Sequence, residues 1–251
     1  MKNNLFYDFG LLFHNKKFWI SILGFALVGI LGNIDSILNV IRKSYSGGNL
    51  VFFNLAQDIL YSSISGIMIP VFSVLGFSLM VKEEIHNGII IFSLVRTTKK
   101  RYILSKVIVT FISGSLMMFL AALLIYIITM MISYPDKYQC VMLEKYLKIY
   151  LSQFGINLLL SSLNGGLWAS VGAVISLCFK EKFSGYFGAF AFFYILAGLQ
   201  ERYYMGWQYL NPINWISPVH TSWEILIILL LSLIVFMLVT LAFSIRRKLT
   251  R

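Results

Sequence analysis

The chain has 251 residues, of which 59% are hydrophobic and only 12% are charged. This charged fraction is about half that of a typical soluble domain, so the composition predicts an integral membrane protein whose single transmembrane domain covers residues 1–251. The net charge of +11 would suit a nucleic-acid binder, but no basic region is interleaved with exposed aromatic residues, and the excess follows the membrane topology predicted below. We therefore expect no nucleic-acid partner.

The first predicted element is a short amphipathic helix over residues 5–13. Its apolar face consists of Leu5, Phe6, Phe9, Leu12 and Phe13, with Asp8 elsewhere. A helix of this kind ahead of a membrane span is expected to lie in the headgroup plane; the alternative is that it is the frayed start of the first span. No small-residue cleavage pattern follows it, so we do not expect a cleaved signal peptide.

Six apolar segments follow, and the predicted fold class is an all-α polytopic membrane protein with six transmembrane helices. A helix needs about 20 apolar residues to cross a bilayer. The predicted spans cover residues 18–41, 59–81, 107–132, 149–178, 183–199 and 225–245. The fifth is short, which leaves room for a re-entrant segment in the aromatic, proline-containing stretch at 200–224. An ordinary belt of interfacial Trp and Tyr residues explains that stretch equally well.

The distribution of Lys and Arg predicts the orientation. With the N-terminus inside, the inner segments carry 15 of the 21 cations and the outer segments carry six. Because Lys and Arg concentrate in cytoplasmic segments, we predict a multi-pass protein of the cell membrane with both termini in the cytoplasm. Cys140 and Cys178 then fall near opposite faces, and both are expected to be unpaired.

The sequence lacks the usual marks of a membrane enzyme. Within the limits given, spans two to six contain no Asp, Glu, Lys, Arg or His, the side chains on which intramembrane chemistry and proton relays depend. The chain has no HExxH motif for a zinc site and no GxxxxGK[ST] motif for a nucleotide. We therefore expect no catalytic residue, metal site or cofactor site in this chain.

Uncharged polar residues concentrate in the fourth predicted span. Asn157, Ser161 and Asn164 fall on one face of that helix, among several Ser and Gly residues. Small residues let membrane helices approach closely, and Ser or Asn can hydrogen-bond across the gap, so helix packing is the favoured interpretation. The alternative is that these side chains line a translocation path, because buried polar groups in lipid often carry function.

The segment between the second and third spans, residues 82–106, is unusual for a loop. It carries six cations and two anions, yet its middle, residues 88–95, is strongly apolar. A loop exposed only to water does not need such a stretch. The pattern therefore predicts a short helix that lies in the membrane interface or docks onto a partner.

The same segment resembles the conserved intracellular segment of ABC-2 type permeases. Glu84 stands four residues before Gly88, as the first acid of that family's acid-rich pattern does, and Leu94 occupies a leucine position. Residues 98–100 cover the family's Ser/Thr–Arg step, and residues 105–106 replace its Gly–Lys entry to the third span. The departures are that Ile85 and His86 replace the pattern's Arg and second acid, and that Thr97 replaces its usual Pro. The amphipathic N-terminal helix, six spans and internal termini are also similar to the family's layout.

The resemblance implies a permease subunit that pairs with a second permease, identical or homologous, and with two separate ATPase subunits that bind ATP and Mg. Residues 88–95 would form the cytoplasmic coupling helix. The coupling contacts implied are Glu84, Gly88, Ile90, Phe92, Leu94, Lys99, Lys100 and Arg101. A second cytoplasmic contact would involve Lys180, Glu181 and Lys182.

Two further hypotheses accompany this resemblance. Glu84 and Lys99–Arg101 would form a charged collar that transmits motion, although charges that merely fix topology explain them nearly as well. The expected activity is export of an amphipathic or hydrophobic substrate, with a peptide or antibiotic favoured. The alternative class is a membrane scaffold or sensor subunit of a larger complex without transport activity.

Overall fold

The computed structural model describes residues 2–42, 50–133, 137–179, 181, 183–204, 206–216 and 222–249, with the side chains of residues 2–5, 96 and 137–147 left out of the description. The structure is 89% helical, and the described residues form no strand. The helices are α1 (Lys2–His14), α2 (Lys16–Gly32), α3 (Ile34–Ile41), α4 (Val51–Tyr61), α5 (Ser63–Leu75), α6 (Met80–His86), α7 (Ile89–Arg96), α8 (Lys99–Ile132), α9 (Lys137–Cys178), α10 (Ser184–Tyr203) and α11 (Trp223–Leu249).

Four helical segments of the described chain are long and apolar enough to cross a membrane. They are Ser63–His86, Lys99–Ile132, Lys148–Cys178 and Trp223–Leu249. A fifth results if α1 and α2, which are bent by 56° at their junction, count as one span. An all-helical fold with four or five candidate membrane-spanning helices among the described residues is therefore confirmed, whereas the count of six spans is not. Alone, the 17 residues of α2 extend only about 26 Å, which is less than the roughly 30 Å of a bilayer's hydrocarbon core. Helix α10 carries the polar residues 200–202 near its C-terminal end.

The helix boundaries differ from the predicted ones where polar residues extend or interrupt a helix. The second predicted span is interrupted at Ser62, whose side chain accepts a hydrogen bond from the backbone N–H of Ser65 and so caps α5. Residues before it form the separate helix α4, which the sequence analysis did not predict. In the opposite direction, α8 begins at Lys99 and α9 at Lys137, well before the apolar runs that predicted their spans.

Helices α8 and α9 form the closest contact in the centre of the bundle. A Cβ atom placed on Gly114 of α8 would lie only 2.4 Å from the carbonyl oxygen of Gly165 on α9. A similar approach joins α9 and α10, where a Cβ on Gly185 would lie 2.9 Å from the carbonyl oxygen of Gly172. Only glycine permits these backbone contacts, which is how small residues bring membrane helices together.

The stretch after α10 folds back onto this core. Trp215 is buried and stacks on Trp168 of α9, with ring centroids 6.1 Å apart. Its indole N–H donates a hydrogen bond to the carbonyl oxygen of Tyr209 at 2.7 Å. The described part of the 200–224 stretch is therefore anchored against the helices. Its predicted re-entrant path into the bilayer stays a prediction.

Candidate functional site

The candidate site lies at the end of the bundle where α6, α7 and the start of α8 meet; we call it the α7 end. The chain turns from α6 into α7 at Gly88, which has φ +70°. Glycine adopts this left-handed conformation without the steric cost that other residues incur. The predicted short helix is confirmed as α7, which begins one residue after Gly88.

Helix α7 has two apolar faces with different surroundings. Ile90 is buried and Leu94 is half-buried, and both pack on a cluster that includes Val81, Tyr102 and Leu241. The other face is exposed and consists of Ile89, Ile91, Phe92 and Val95. The sequence analysis grouped Ile90 and Leu94 with Phe92 as docking residues. The structure places Phe92 on the face opposite to Ile90 and Leu94. The largely apolar sequence of α7 gives little signal for which side the core covers.

A buried ionic cluster lies next to α7 and joins three helices. The Lys106 ammonium on α8 donates hydrogen bonds to Asp8 Oδ1 of α1 at 2.8 Å and to Glu84 Oε1 of α6 at 2.6 Å. The side chains of Lys106, Asp8 and Glu84 are 4%, 7% and 9% exposed. One formal positive charge thus holds two formal negative charges away from water, and we call this arrangement the charge cluster.

Two hydroxyl groups complete the charge cluster. Tyr102 donates to Glu84 Oε2 at 2.6 Å, and Ser105 donates to Asp8 Oδ2 at 2.7 Å. The Lys106 ammonium also lies 5.5 Å from the centroid of the Tyr102 ring. Positions 102, 105 and 106 fall on one face of α8, so one helix supplies the hydroxyls and the cation. Each carboxylate therefore has two hydrogen-bond donors, the condition under which a buried ion pair is tolerated.

Two expectations about charged residues are corrected by this geometry. Asp8 was predicted to lie off the apolar face of the first helix, but it is buried, whereas Phe6, predicted on that face, is exposed. The side chains of Lys99, Lys100 and Arg101 are exposed and do not form a collar with Glu84. The partner of Glu84 is instead Lys106, which lies seven residues further along α8, about 10 Å beyond Lys99.

A second contact at the α7 end connects α6 to the turn between α9 and α10. The Lys82 ammonium donates to the carbonyl oxygens of Phe179, at 3.1 Å, and of Glu181, and it lies 3.3 Å from Ser184 Oγ. Of the predicted second contact, Glu181 is exposed, and Lys180 and Lys182 lie outside the described residues. The sequence analysis did not predict the role of Lys82.

The polar residues predicted on one face of α9 are all buried inside the chain. Asn157 accepts a hydrogen bond from the Tyr61 hydroxyl at 2.5 Å and donates one to the Tyr126 hydroxyl at 3.2 Å. Ser161 and Asn164 are buried without a side-chain hydrogen-bond partner among the described residues. Unmade hydrogen bonds of this kind cost about 1–3 kcal/mol each. Asn164 is adjacent to the Gly114–Gly165 contact, so its surroundings are tightly packed.

No protein-family model matches the chain, and neither the curated proteins nor the solved structures include a match to it. The class that the fold and the site define is an all-helical protein with four or five candidate membrane-spanning helices. Its α7 end combines a charge cluster with an exposed apolar helix.

Proposed function

We propose that this chain is the membrane-spanning permease subunit of an ABC-2 type exporter. It would work with a second permease subunit and with two ATPase subunits that bind ATP and Mg. The observation that carries the proposal is the exposed apolar face of α7, which lies between the candidate spans Ser63–His86 and Lys99–Ile132. The resemblance of residues 82–106 to the family's intracellular segment implies that an ATPase subunit covers this face.

The surroundings of α7 favour a protein partner for this face. Phe92 is 72% exposed and Val95 is 83% exposed, and the exposed cations Lys99, Lys100 and Arg101 follow directly. Burying such side chains stabilises a complex by about 1.5–3 kcal/mol for each large one. Ile91, Phe92 and Val95 have the i, i+1, i+4 spacing of a helix that docks into an apolar groove.

The connections of α7 give a route by which docking would affect the spans. Two residues join α7 to α6, and two join it to α8. Glu84 on α6 and Lys106 on α8 belong to the charge cluster, so both helices that hold α7 are tied to each other. A displacement of α7 by an ATPase would therefore move α6 and α8 together. We assign Glu84, Lys106 and Asp8 this positioning role, in place of the collar with Lys99–Arg101.

The proposed cargo is an amphipathic or hydrophobic molecule, with a peptide or antibiotic favoured by the resemblance. A translocation path along Asn157, Ser161 and Asn164 belongs to the same proposal. All three side chains are buried within a single chain, so such a path would require α8 and α9 to separate near Gly114. The close contact at Gly114 favours a packing role for this face instead. The alternative function is a scaffold or sensor subunit that has no ATPase partner.

The test is purification of the full-length chain from its native membrane in mild detergent and in nanodiscs. Mass spectrometry would identify co-purifying proteins, and ATP hydrolysis would be assayed with and without vanadate. We expect a stoichiometric P-loop ATPase with vanadate-sensitive activity. Phe92→Asp should lose this partner, because it places a charge in the centre of the apolar face, whereas Phe92→Leu should keep it.

Lys148→Asp is the matched control, since it introduces the same charge at an exposed position on α9 that is not part of the proposed docking surface. Size-exclusion chromatography must give the same monodisperse peak for every variant. Preparations free of ATPase in both detergent and nanodiscs would reject the permease function in favour of the scaffold or sensor. An ATPase that stays bound to Phe92→Asp would reject α7 as its docking site.

A further inference from the structure

An apolar pocket lies between α4, α8 and α9, far from the α7 end. Its volume is about 290 Å³, and its inner walls are formed mainly by Phe53, Tyr126, Tyr150 and Phe154. These rings pack against one another, with centroid distances of 5.8 Å for Phe53–Tyr126, 5.3 Å for Phe53–Tyr150 and 4.8 Å for Tyr126–Phe154. The pocket is thus built from rings that support each other, and it is more than a gap between flexible side chains.

The Tyr126 hydroxyl at this pocket already has a hydrogen-bond partner. The Tyr126 hydroxyl accepts a hydrogen bond from Asn157, and Asn157 in turn accepts one from Tyr61. The surface that lines the pocket is almost entirely carbon. A polar ligand would lose its hydration there without gaining equivalent hydrogen bonds, so the chemistry of the walls selects an apolar occupant.

The pocket opens toward the outside of the bundle. Its rim includes Ile127 and Leu151, which are 50% and 64% exposed. Both belong to helices that are candidate membrane spans, so the rim continues into the surface that faces hydrocarbon. An occupant can therefore enter sideways from the bilayer without crossing a polar barrier.

The position along α8 places the pocket near one bilayer surface. Tyr126 follows Lys106 of the charge cluster by 20 residues on the uninterrupted helix α8, which corresponds to about 30 Å. The hydrocarbon core of a bilayer is about 30 Å thick. If the α7 end is at one boundary of the hydrocarbon, the pocket is close to the other.

We propose that this pocket binds one acyl chain of a membrane phospholipid, whose headgroup remains at the bilayer surface beyond the end of α8. The volume suits this occupant: at roughly 30 Å³ for a group the size of a water molecule, 290 Å³ holds about ten chain carbons. That is part of one chain and too little for a folded peptide. The proposal does not depend on the permease function, because a scaffold would use the same site.

The test uses a phosphatidylcholine with a photoreactive diazirine within the first ten carbons of one acyl chain, the part that the pocket would hold. The full-length protein is reconstituted in nanodiscs containing this probe in unlabelled phosphatidylcholine, irradiated, digested and mapped by mass spectrometry. We expect labelling of the peptides around Tyr126 and Phe154 to exceed, by about tenfold, that of the lipid-facing surface of α11. A tenfold preference corresponds to about two additional buried methylene groups.

Ile127→Trp is expected to reduce labelling of the pocket peptides by about tenfold, because the indole would fill the rim. Ile127 is half-exposed, so the change need not disturb the core. Ile228→Trp on the exposed side of α11 is the matched control and should leave pocket labelling unchanged. Labelling spread evenly over exposed apolar residues, or unchanged by Ile127→Trp, would overturn the proposal. So would a dimer of this chain that shields the pocket from the probe.

Discussion

Replacing Lys106 by Met is expected to be one of the most destabilising single changes outside the apolar core. Lys106 is the only cation in contact with Asp8 and Glu84 among the described residues, at 2.8 and 2.6 Å. Methionine keeps the length and the apolar contacts of the side chain but removes its charge. Two carboxylates that are less than a tenth exposed would then face each other without a counterion.

The expected loss is about 3–5 kcal/mol of unfolding free energy, the cost of breaking a buried ion pair by removing one partner. For a chain of this size each kcal/mol lowers the melting temperature by about 2–4 °C, so the midpoint should fall by roughly 6–20 °C. Asp8→Asn should cost much less, about 1 kcal/mol. Its amide oxygen can still accept the hydrogen bond from Lys106, its N–H₂ group can donate to the Ser105 hydroxyl, and one Lys–Glu pair of zero net charge remains.

The assay is thermal unfolding of the purified protein in detergent, followed by the monodisperse fraction after heating. Lys100→Met is the control, because it removes a charge from an exposed position on the same helix and should leave the midpoint unchanged. The combined variant Lys106→Met, Asp8→Asn, Glu84→Gln should recover most of the loss, since no buried charge remains. A Lys106→Met midpoint equal to that of the native protein, or a combined variant less stable than Lys106→Met, would refute this reasoning.

Gly114→Ala should lower the free energy of unfolding by about 3 kcal/mol, measured by thermal unfolding, because its Cβ would meet the backbone of α9. Gly155→Ala is the control and should have no such effect, because nothing lies within 4 Å of the added Cβ. Equal effects of the two substitutions would contradict the close-contact argument. Gly88→Ala should lower the free energy of unfolding by about 1–2 kcal/mol through its left-handed backbone conformation alone, since the added Cβ meets nothing within 4 Å. An unchanged midpoint of thermal unfolding would refute this prediction. The predicted topology can be tested in a Cys140→Ser variant with a membrane-impermeant maleimide. This reagent should label the exposed thiol of Cys178 in inverted vesicles but not in intact cells. The opposite result would reverse the predicted topology.

The sequence predicted the helical membrane class and the position of α7 because both depend on composition and local pattern. Long runs of apolar residues have few other stable structures in a bilayer, and the apolar stretch after Gly88 is separated by charges on both sides. The span count was harder to predict, because the first predicted span is divided at Asn33 into the shorter helices α2 and α3, and α10 includes the polar residues 200–202 near its end. A hydropathy profile does not show where a helix is interrupted or bent.

The charge cluster could not be assembled from the sequence, because its members are 22 to 98 residues apart. The sequence did contain a partial signal. Glu84 follows the second predicted span and Lys106 precedes the third, so both residues are expected at the same end of the bundle. Nothing local indicated that Asp8 would join them. Amphipathic patterns assign a carboxylate to the polar face, and only the packing of α1 against α8 reverses that assignment.

The breaks in the helices are located where the proposed coupling needs them. Helix α8 runs without interruption from the charge cluster to the acyl-chain pocket. By contrast, α1 and α2 bend by 56° next to Asn15, and the chain leaves helical structure between α5 and α6 at residues 76–79. The Asn15 side-chain N–H₂ donates to the carbonyl oxygen of Gly76 at 3.0 Å, which joins the two breaks. A force applied to α7 would therefore reach one uninterrupted helix and two interrupted helix pairs that are linked to each other, and we expect the interruptions to change angle first.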